Sequence, residues 1–145
     1  MTPIVEVVAP RLLPIAAIVA AALMVKGYAD VGEGFGAGVI VALAVGLRYV
    51  VLGPERANST MPLIHRAPLL AAAGLIVALA FGFAGLVFGD PPFTHYPGPG
   101  EPVVRIGTLE LTTAVGFDIG IFLLVTAAAS TLIRQLSLLG SEERP

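Results

Sequence analysis

Four long apolar stretches restrict this chain more than any other feature: about Arg11 to Val25, Phe35 to Leu52, Ala67 to Phe88 and Thr112 to Ile133. A helix needs about 20 predominantly apolar residues to cross a hydrocarbon core roughly 30 Å thick, and the last three stretches come close to that length. A soluble fold would have to cover them with polar surface. The 145 residues cannot supply it, because 57% are hydrophobic and only 12% are charged, with a mean hydropathy of +0.93. Soluble domains carry about 25% charged residues, so this balance implies lipid as the main solvent. The expected fold is an all-α integral membrane protein of about four transmembrane helices, one membrane domain over residues 1–145.

The first stretch is the shortest. Its uninterrupted part, Leu12 to Val25, has the length of a signal-peptide core, and Ala20 and Ala22 offer a small-residue cleavage pattern. Against cleavage stand Glu6 and the run Ile4 to Ala9, which lengthens the helix if Arg11 reaches back to the interface. A retained helix is expected, and the mass of the mature N-terminus decides it.

Lys and Arg are unevenly distributed. With the N-terminus inside, Arg11, Arg48, Arg56, Arg66, Arg134 and Arg144 lie on the inner side and Lys26 and Arg105 on the outer side. Cytoplasmic loops collect positive charge, so both termini are expected in the cytoplasm, in a multi-pass protein of the cell membrane.

The connections differ in character. Residues Lys26 to Glu33 read as a short outer turn, and Gly53 to Arg66 as a polar inner loop bounded by Pro54, Pro62 and Pro68. Residues 89–111 form the longest outer loop, where Pro91, Pro92, Pro97, Pro99 and Pro102 oppose helix. Residues 134–145 read as a short charged tail in water.

Small residues recur at helical spacing. Gly34, Gly38, Ala42 and Gly46 fall on one face of the second helix, Gly74, Ala78 and Gly82 on one face of the third, and Gly116 and Gly120 on the fourth. Lipid supplies little hydrophobic drive between helices, so close backbone approach must hold them together. The pattern alone leaves open whether these faces pack within the chain or against a partner protein. Four short helices offer few ways to enclose a transport path, which makes a partner-facing surface the natural expectation.

Asp118 lies about six residues into the last stretch, roughly 9 Å below its outer end at ~1.5 Å per residue. A carboxylate at that depth is costly and should face a partner, water or a pathway. Thr126 and Ser130 lie near the same face, Glu110 eight residues before it, and Gly116 and Gly120 almost opposite. Either Asp118 lines a cation or proton route, or it is a structural carboxylate favoured by a nearby helix N-terminus. Lys26, Asp30 and Glu33 form a second charged group, readable as helix-end pairing or as an acidic vestibule for cations. The ion-pathway candidates are therefore Asp118, Glu33, Asp30, Lys26 and Glu110.

Other chemistry is excluded. A net charge of −2 gives no basic field for nucleic acid, and the absence of cysteine removes disulfides and thiolate sites. His65 and His95 are expected on opposite sides of the membrane and cannot share a metal. Gly32, Gly34, Gly36 and Gly38 lack phosphate-loop spacing, and no Lys-Ser/Thr follows them. No Ser/His/Asp set or HExxH is present, so no catalytic residue, metal or cofactor is expected.

Two motifs carry a family resemblance. Gly27-Tyr28-Ala29-Asp30-Val31-Gly32-Glu33-Gly34-Phe35-Gly36-Ala37-Gly38 resembles the P-G-G-G-F-x-x-G signature of the MrpB/MnhB family, the B-type component of the multisubunit Na+/H+ antiporters. Thr113 to Phe122, with Phe117-Asp118-Ile119-Gly120, resembles the last helix of that component. Gly32, Gly34, Phe35 and Gly38 fall on the first signature and Phe117, Asp118 and Gly120 on the second. Val31 stands where the family usually has proline, and Glu33 at a usual glycine. The resemblance covers nearly the whole chain. It implies a small component of a hetero-oligomeric secondary antiporter that exchanges cytoplasmic Na+ for external H+ under the proton motive force, completing the assembly and shaping the ion path beside larger subunits. Related subunits also occur in hydrogenase-like and complex I-like ion pumps, and a structural membrane protein outside transport is the third reading.

Overall fold

The computed structural model describes residues 3–26, 33–98, 100–106 and 109–142, except the side chains of 3, 4, 6, 10, 26, 105, 106, 109, 110, 141 and 142. Helix α1 (Pro3–Lys26) starts on a proline, whose fixed φ suits a first helical position. It includes the apolar run before Arg11 and so exceeds the expected 11–25. Helix α2 (Glu33–Thr60) carries an acid in its first turn, where the helix dipole favours it.

The expected polar loop over 53–66 is corrected. The chain leaves helical geometry at Gly53 alone (φ 75, ψ 166) and resumes a helix at Pro54 that runs to Thr60. Only glycine takes that positive φ without cost, and proline is well placed to restart a helix. A 3-10 turn, Pro62–Arg66, then leads into α3 (Ala67–Gly82). Packing holds this polar stretch: Ala57, Met61 and Ile64 are buried in one cluster with Val45, Tyr49 and Ala127. Tyr49 Oη also donates to Asn58 Oδ1 at 2.6 Å across the break.

The third span is also interrupted. Phe83 (φ −102, ψ 4) separates α3 from α4 (Ala84–Phe88), which ends on left-handed Gly89. In the proline-rich connection after α4, strands β1 (Val104–Ile106) and β2 (Leu109–Leu111) pair antiparallel with Arg105 opposite Glu110. Helix α5 (Thr113–Glu142) passes well beyond residue 133, so the expected tail is helical from 134 to 142.

Among the described residues, four segments are long and apolar enough to cross a membrane: Val7–Val25, Glu33–Thr60, Pro62–Phe88 and Thr113–Gly140. They do not form a closed bundle. The extensive contacts join α1 to α2, α2 to α5 and α5 to α3, with no comparable contact between α1 and α5, α1 and α3, or α2 and α3 among the described residues. The spatial order is therefore α1-α2-α5-α3, a row in which α5 has a neighbour on each side. No large side chain is fully buried among the described residues.

Candidate functional site

The small-residue faces are consumed inside the chain, which corrects the expectation that they meet a partner. On α2, Gly34 lies against the backbone of Asp118, and Gly38 lies so near Val125 and the Phe122 carbonyl that a Cβ would sit 3.0 Å and 3.1 Å from them. Gly46 faces Ile133 and Ala42 is buried. The other side of α5 meets α3 in the same way. A Cβ on Gly120 would fall 2.5 Å from the Ala78 nitrogen, one on Gly74 2.5 Å from the Leu124 nitrogen, and one on Gly116 2.5 Å from the Phe81 ring. Gly82 instead receives Phe93 of the proline-rich connection. With no hydrophobic drive in lipid, van der Waals contact at this range is what holds the row together.

This packing brings the two sequence motifs together. Gly34 and Gly38 of the first signature sit on Asp118 and Phe122, within or beside the second. Asp118 is only 8% exposed, one of two buried polar residues among those described; the other is Ser130. Asp118 thus lies in the α2–α5 seam at the end that carries the 89–111 connection, not on a face turned away from the packed side. Lower in the seam, Thr126 Oγ1 donates to the Gly38 carbonyl at 3.4 Å. Both faces of α5, polar and glycine-lined, are helix contacts, because the helix is flanked on both sides.

A cap built from the 89–111 connection closes over this end. Phe117 meets Phe93 edge to face, with ring centroids 5.9 Å apart and planes at 87°, and lies 6.2 Å from the His95 ring. Phe93 N–H donates to the Gly82 carbonyl at 2.6 Å. Tyr96 and Thr113 exchange two bonds: Tyr96 N–H to Thr113 Oγ1 and Thr113 N–H to the Tyr96 carbonyl, both 2.8 Å. Tyr96 Oη donates to Asp90 Oδ2, and this bond, followed by desolvation and the Asp90 and Glu101 charges, pushes the phenol above its ordinary value of 10.0. Phe117 is therefore the anchor of the proline-rich connection.

The other candidates separate. Glu33 is half-buried in the first turn of α2, beside Gly34 and hence near the level of Asp118. Glu110 lies on β2, not on the helix, so it is not in helical register with Asp118, and its side chain is outside the described residues. Asp30 and Gly32, with the side chain of Lys26, also lie outside the described residues. Phe35 is 61% exposed and faces away from the chain's own helices. Sequence reasoning missed the contact of Arg134 with His65, which are far apart in the chain, and the one between Tyr49 and Asn58, which meet only because the helix breaks at Gly53 between them.

The fold and the seam define a multi-pass membrane protein whose helices close on one another through glycine and enclose a carboxylate. A domain family described as "Domain related to MnhB subunit of Na+/H+ antiporter" matches residues 4–131. The chain belongs to this family. It is 35% identical to the B-type subunit of the Na(+)/H(+) antiporter of Alkalihalophilus pseudofirmus, covering 77% of this chain and 75% of that one. It is 31% identical to the B-type subunit of the Na(+)/H(+) antiporter of Bacillus subtilis, covering 83% and 80%. A longer relative, the combined A/B-type subunit of a probable K(+)/H(+) antiporter of Rhizobium meliloti, is 32% identical over 87% of this chain but only 12% of its own length. The relatives are components of transporters, and the chain is accordingly one subunit of a multisubunit Na+/H+ antiporter.

Proposed function

We propose that this subunit works in the cell membrane in exchange of a monovalent cation, Na+ in the first instance, for H+ under the proton motive force, and that the α2–α5 seam borders the ion path at Asp118. The observation that carries the reading is the burial of one carboxylate at a helix contact within a membrane-length segment. Such a group is expensive unless it meets a counter-charge, water or a moving ion. Glu33, Asp30, Lys26 and Glu110 remain the candidates for the approach to it. One relative runs far beyond this module and is named for the A and B types together, which supports a large A-type protein as a direct neighbour. The occurrence of both Na+ and K+ in relatives' names makes K+ the competing cation to test.

The experiment is cation-driven proton exchange in vesicles carrying the intact complex with Asp118→Asn or Asp118→Glu. With subunit content unchanged, Asp118→Asn abolishes exchange and Asp118→Glu retains part of it. Full exchange in Asp118→Asn would remove Asp118 from the path and leave it a packing role.

A further inference from the structure

A cavity of about 370 Å³ opens at the other end of the row, where the 3-10 turn, the start of α3 and the α2–α5 seam meet. That is within the roughly 300–1,000 Å³ usual for small-molecule sites. Its lining includes Leu13 of α1, Val41 of α2, Leu70 of α3, Leu123 of α5 and the turn residues Thr60 to Leu63, and is almost wholly apolar. Along α5 the wall descends from Leu123 to Ser130, and Arg134 follows one turn on. Leu123 and Arg134 are thus about 16 Å apart along the axis at ~1.5 Å per residue.

Two observations separate this cavity from a packing defect. Ser130 is 3% exposed and lines the cavity, yet its Oγ has no hydrogen-bond partner among the described residues. A helical Ser or Thr commonly bonds back to the carbonyl four residues before it, as Thr131 does to Ala127 at 2.7 Å. The cavity's other hydroxyls are engaged, Thr60 with the Ala57 carbonyl and Thr126 with the Gly38 carbonyl. An unpaired hydroxyl in apolar surroundings is unfavourable, so an acceptor is missing at Ser130.

The second observation is charge below the cavity. The Arg134 guanidinium donates to His65 Nδ1 at 3.2 Å. A guanidinium has no acceptor, so His65 carries its proton on Nε2 and both side chains present donors. Arg134 Nε is itself buried without a partner among the described residues. Arg66 is exposed beside His65, and Arg56 and Glu55 are exposed on the preceding helix end.

We propose that this cavity holds an acyl chain of an anionic phospholipid, whose glycerol ester carbonyl accepts from Ser130 Oγ and whose phosphate faces Arg134, His65 and Arg66. The order of groups along α5, apolar, then hydroxyl, then cation, is the order along a glycerophospholipid from chain to headgroup. Water fits poorly, because a buried water needs two to four polar partners and the cavity offers one free hydroxyl. A free phosphate would satisfy the arginine and leave the apolar volume empty.

The test is photolabelling of the intact antiporter complex in vesicles with trace phosphatidylglycerol bearing a diazirine in one acyl chain, the labelled peptides being mapped by mass spectrometry. Label is expected on peptides containing Val41 and Leu123, at least fivefold above that from the same diazirine in phosphatidylcholine. Ser130→Leu, which removes the hydroxyl and intrudes on the cavity, and Arg134→Gln each reduce it at least fivefold, whereas Arg134→Lys retains most of it. Labelling of the unmodified complex stands as a result even if a variant fails to assemble. Equal labelling by the two lipids would overturn the headgroup assignment. Absence of label at both peptides, as when a neighbouring protein's side chain fills the space, would overturn the site.

Discussion

At the scale of single residues, the glycines decide how closely the helices approach. Gly74 lies where any side chain meets backbone: a Cβ there would fall 2.5 Å from the Leu124 nitrogen and 2.8 Å from the Gly120 carbonyl oxygen. Backbone cannot swing aside as a side-chain tip can, so Gly74→Ala must push α3 from α5. Overpacking of this kind costs typically ~1–3 kcal/mol. Gly36 sits on α2 with nothing within 4 Å of its would-be Cβ. Gly36→Ala should therefore be neutral or slightly stabilising, by up to ~1 kcal/mol from helix propensity. Thermal unfolding of the purified complex distinguishes the two: Gly74→Ala lowers the midpoint and Gly36→Ala does not. Equal behaviour would mean that α3 and α5 are not in this contact. Gly53 is sensitive for another reason. Its φ of 75 disfavours any Cβ, so Gly53→Ala should cost ~1–2 kcal/mol although the space around it is open.

At the scale of elements, the cap over residues 89–111 depends on few contacts, and Tyr96 makes four of them. Tyr96→Phe keeps the ring against Phe88 (centroids 5.3 Å apart) and both backbone bonds to Thr113 but loses the bond to Asp90. The cap should then exchange its amide hydrogens faster over 90–96 while α5 is unchanged, as read by hydrogen–deuterium exchange. The pH dependence has a definite sign. The phenol's value is raised by its bond to Asp90, so the folded cap holds the proton more tightly than the unfolded chain does. That contribution is complete below the ordinary value of about 10 and is lost as pH rises through the raised one. Protection over 90–96 should be flat with respect to Tyr96 from about pH 6 to 9 and fall only above about 10. In Tyr96→Phe that alkaline fall should disappear.

The same elements show what the residues alone could convey. The four spans and the three small-residue faces were legible because apolar length and i, i+4 spacing are local properties. The destination of those faces was not, since Gly34 meets Asp118 and Gly74 meets Gly120 only through the spatial order α1-α2-α5-α3, which no spacing encodes. Polar composition at 54–60 and 134–142 suggested loop and tail. Tertiary packing of Ala57 and Ile64, and the continued leucines Leu136 and Leu139, give helix instead. Asp118 was recognisable as a candidate from its depth, whereas Ser130 gained meaning only when the cavity and its missing acceptor were visible.

At the scale of the whole molecule, an open row whose end helices α1 and α3 make no extensive contact does not close around a channel among the described residues. The chain exposes 9013 Å², where a compact soluble protein of 14.9 kDa would expose about 7,000 Å². Phe35, Leu43 and Val50, each more than 60% exposed and seven or eight residues apart, form one such outward stripe on α2. Any ion path bordered by Asp118 must take its remaining walls from neighbouring subunits, which is what membership of a larger antiporter complex supplies. Placing that wall in the membrane requires knowing which end faces out. The contact of His65 with Arg134 puts the 3-10 turn and the lower part of α5 at one end of the row, and the cap with Tyr96 and Thr113 at the other. The first end gathers Arg56, Arg66 and Arg134, so the positive-inside rule predicts that it faces the cytoplasm. The chain has no cysteine of its own, so a single introduced thiol reports its side cleanly. Ser59→Cys and Glu101→Cys alter exposed positions at the two ends. In intact cells, a membrane-impermeant maleimide should modify Glu101→Cys readily and Ser59→Cys only after permeabilisation, at least tenfold apart before it. The opposite pattern would invert the row, place Asp118 near the cytoplasmic surface and reverse the direction from which protons reach it.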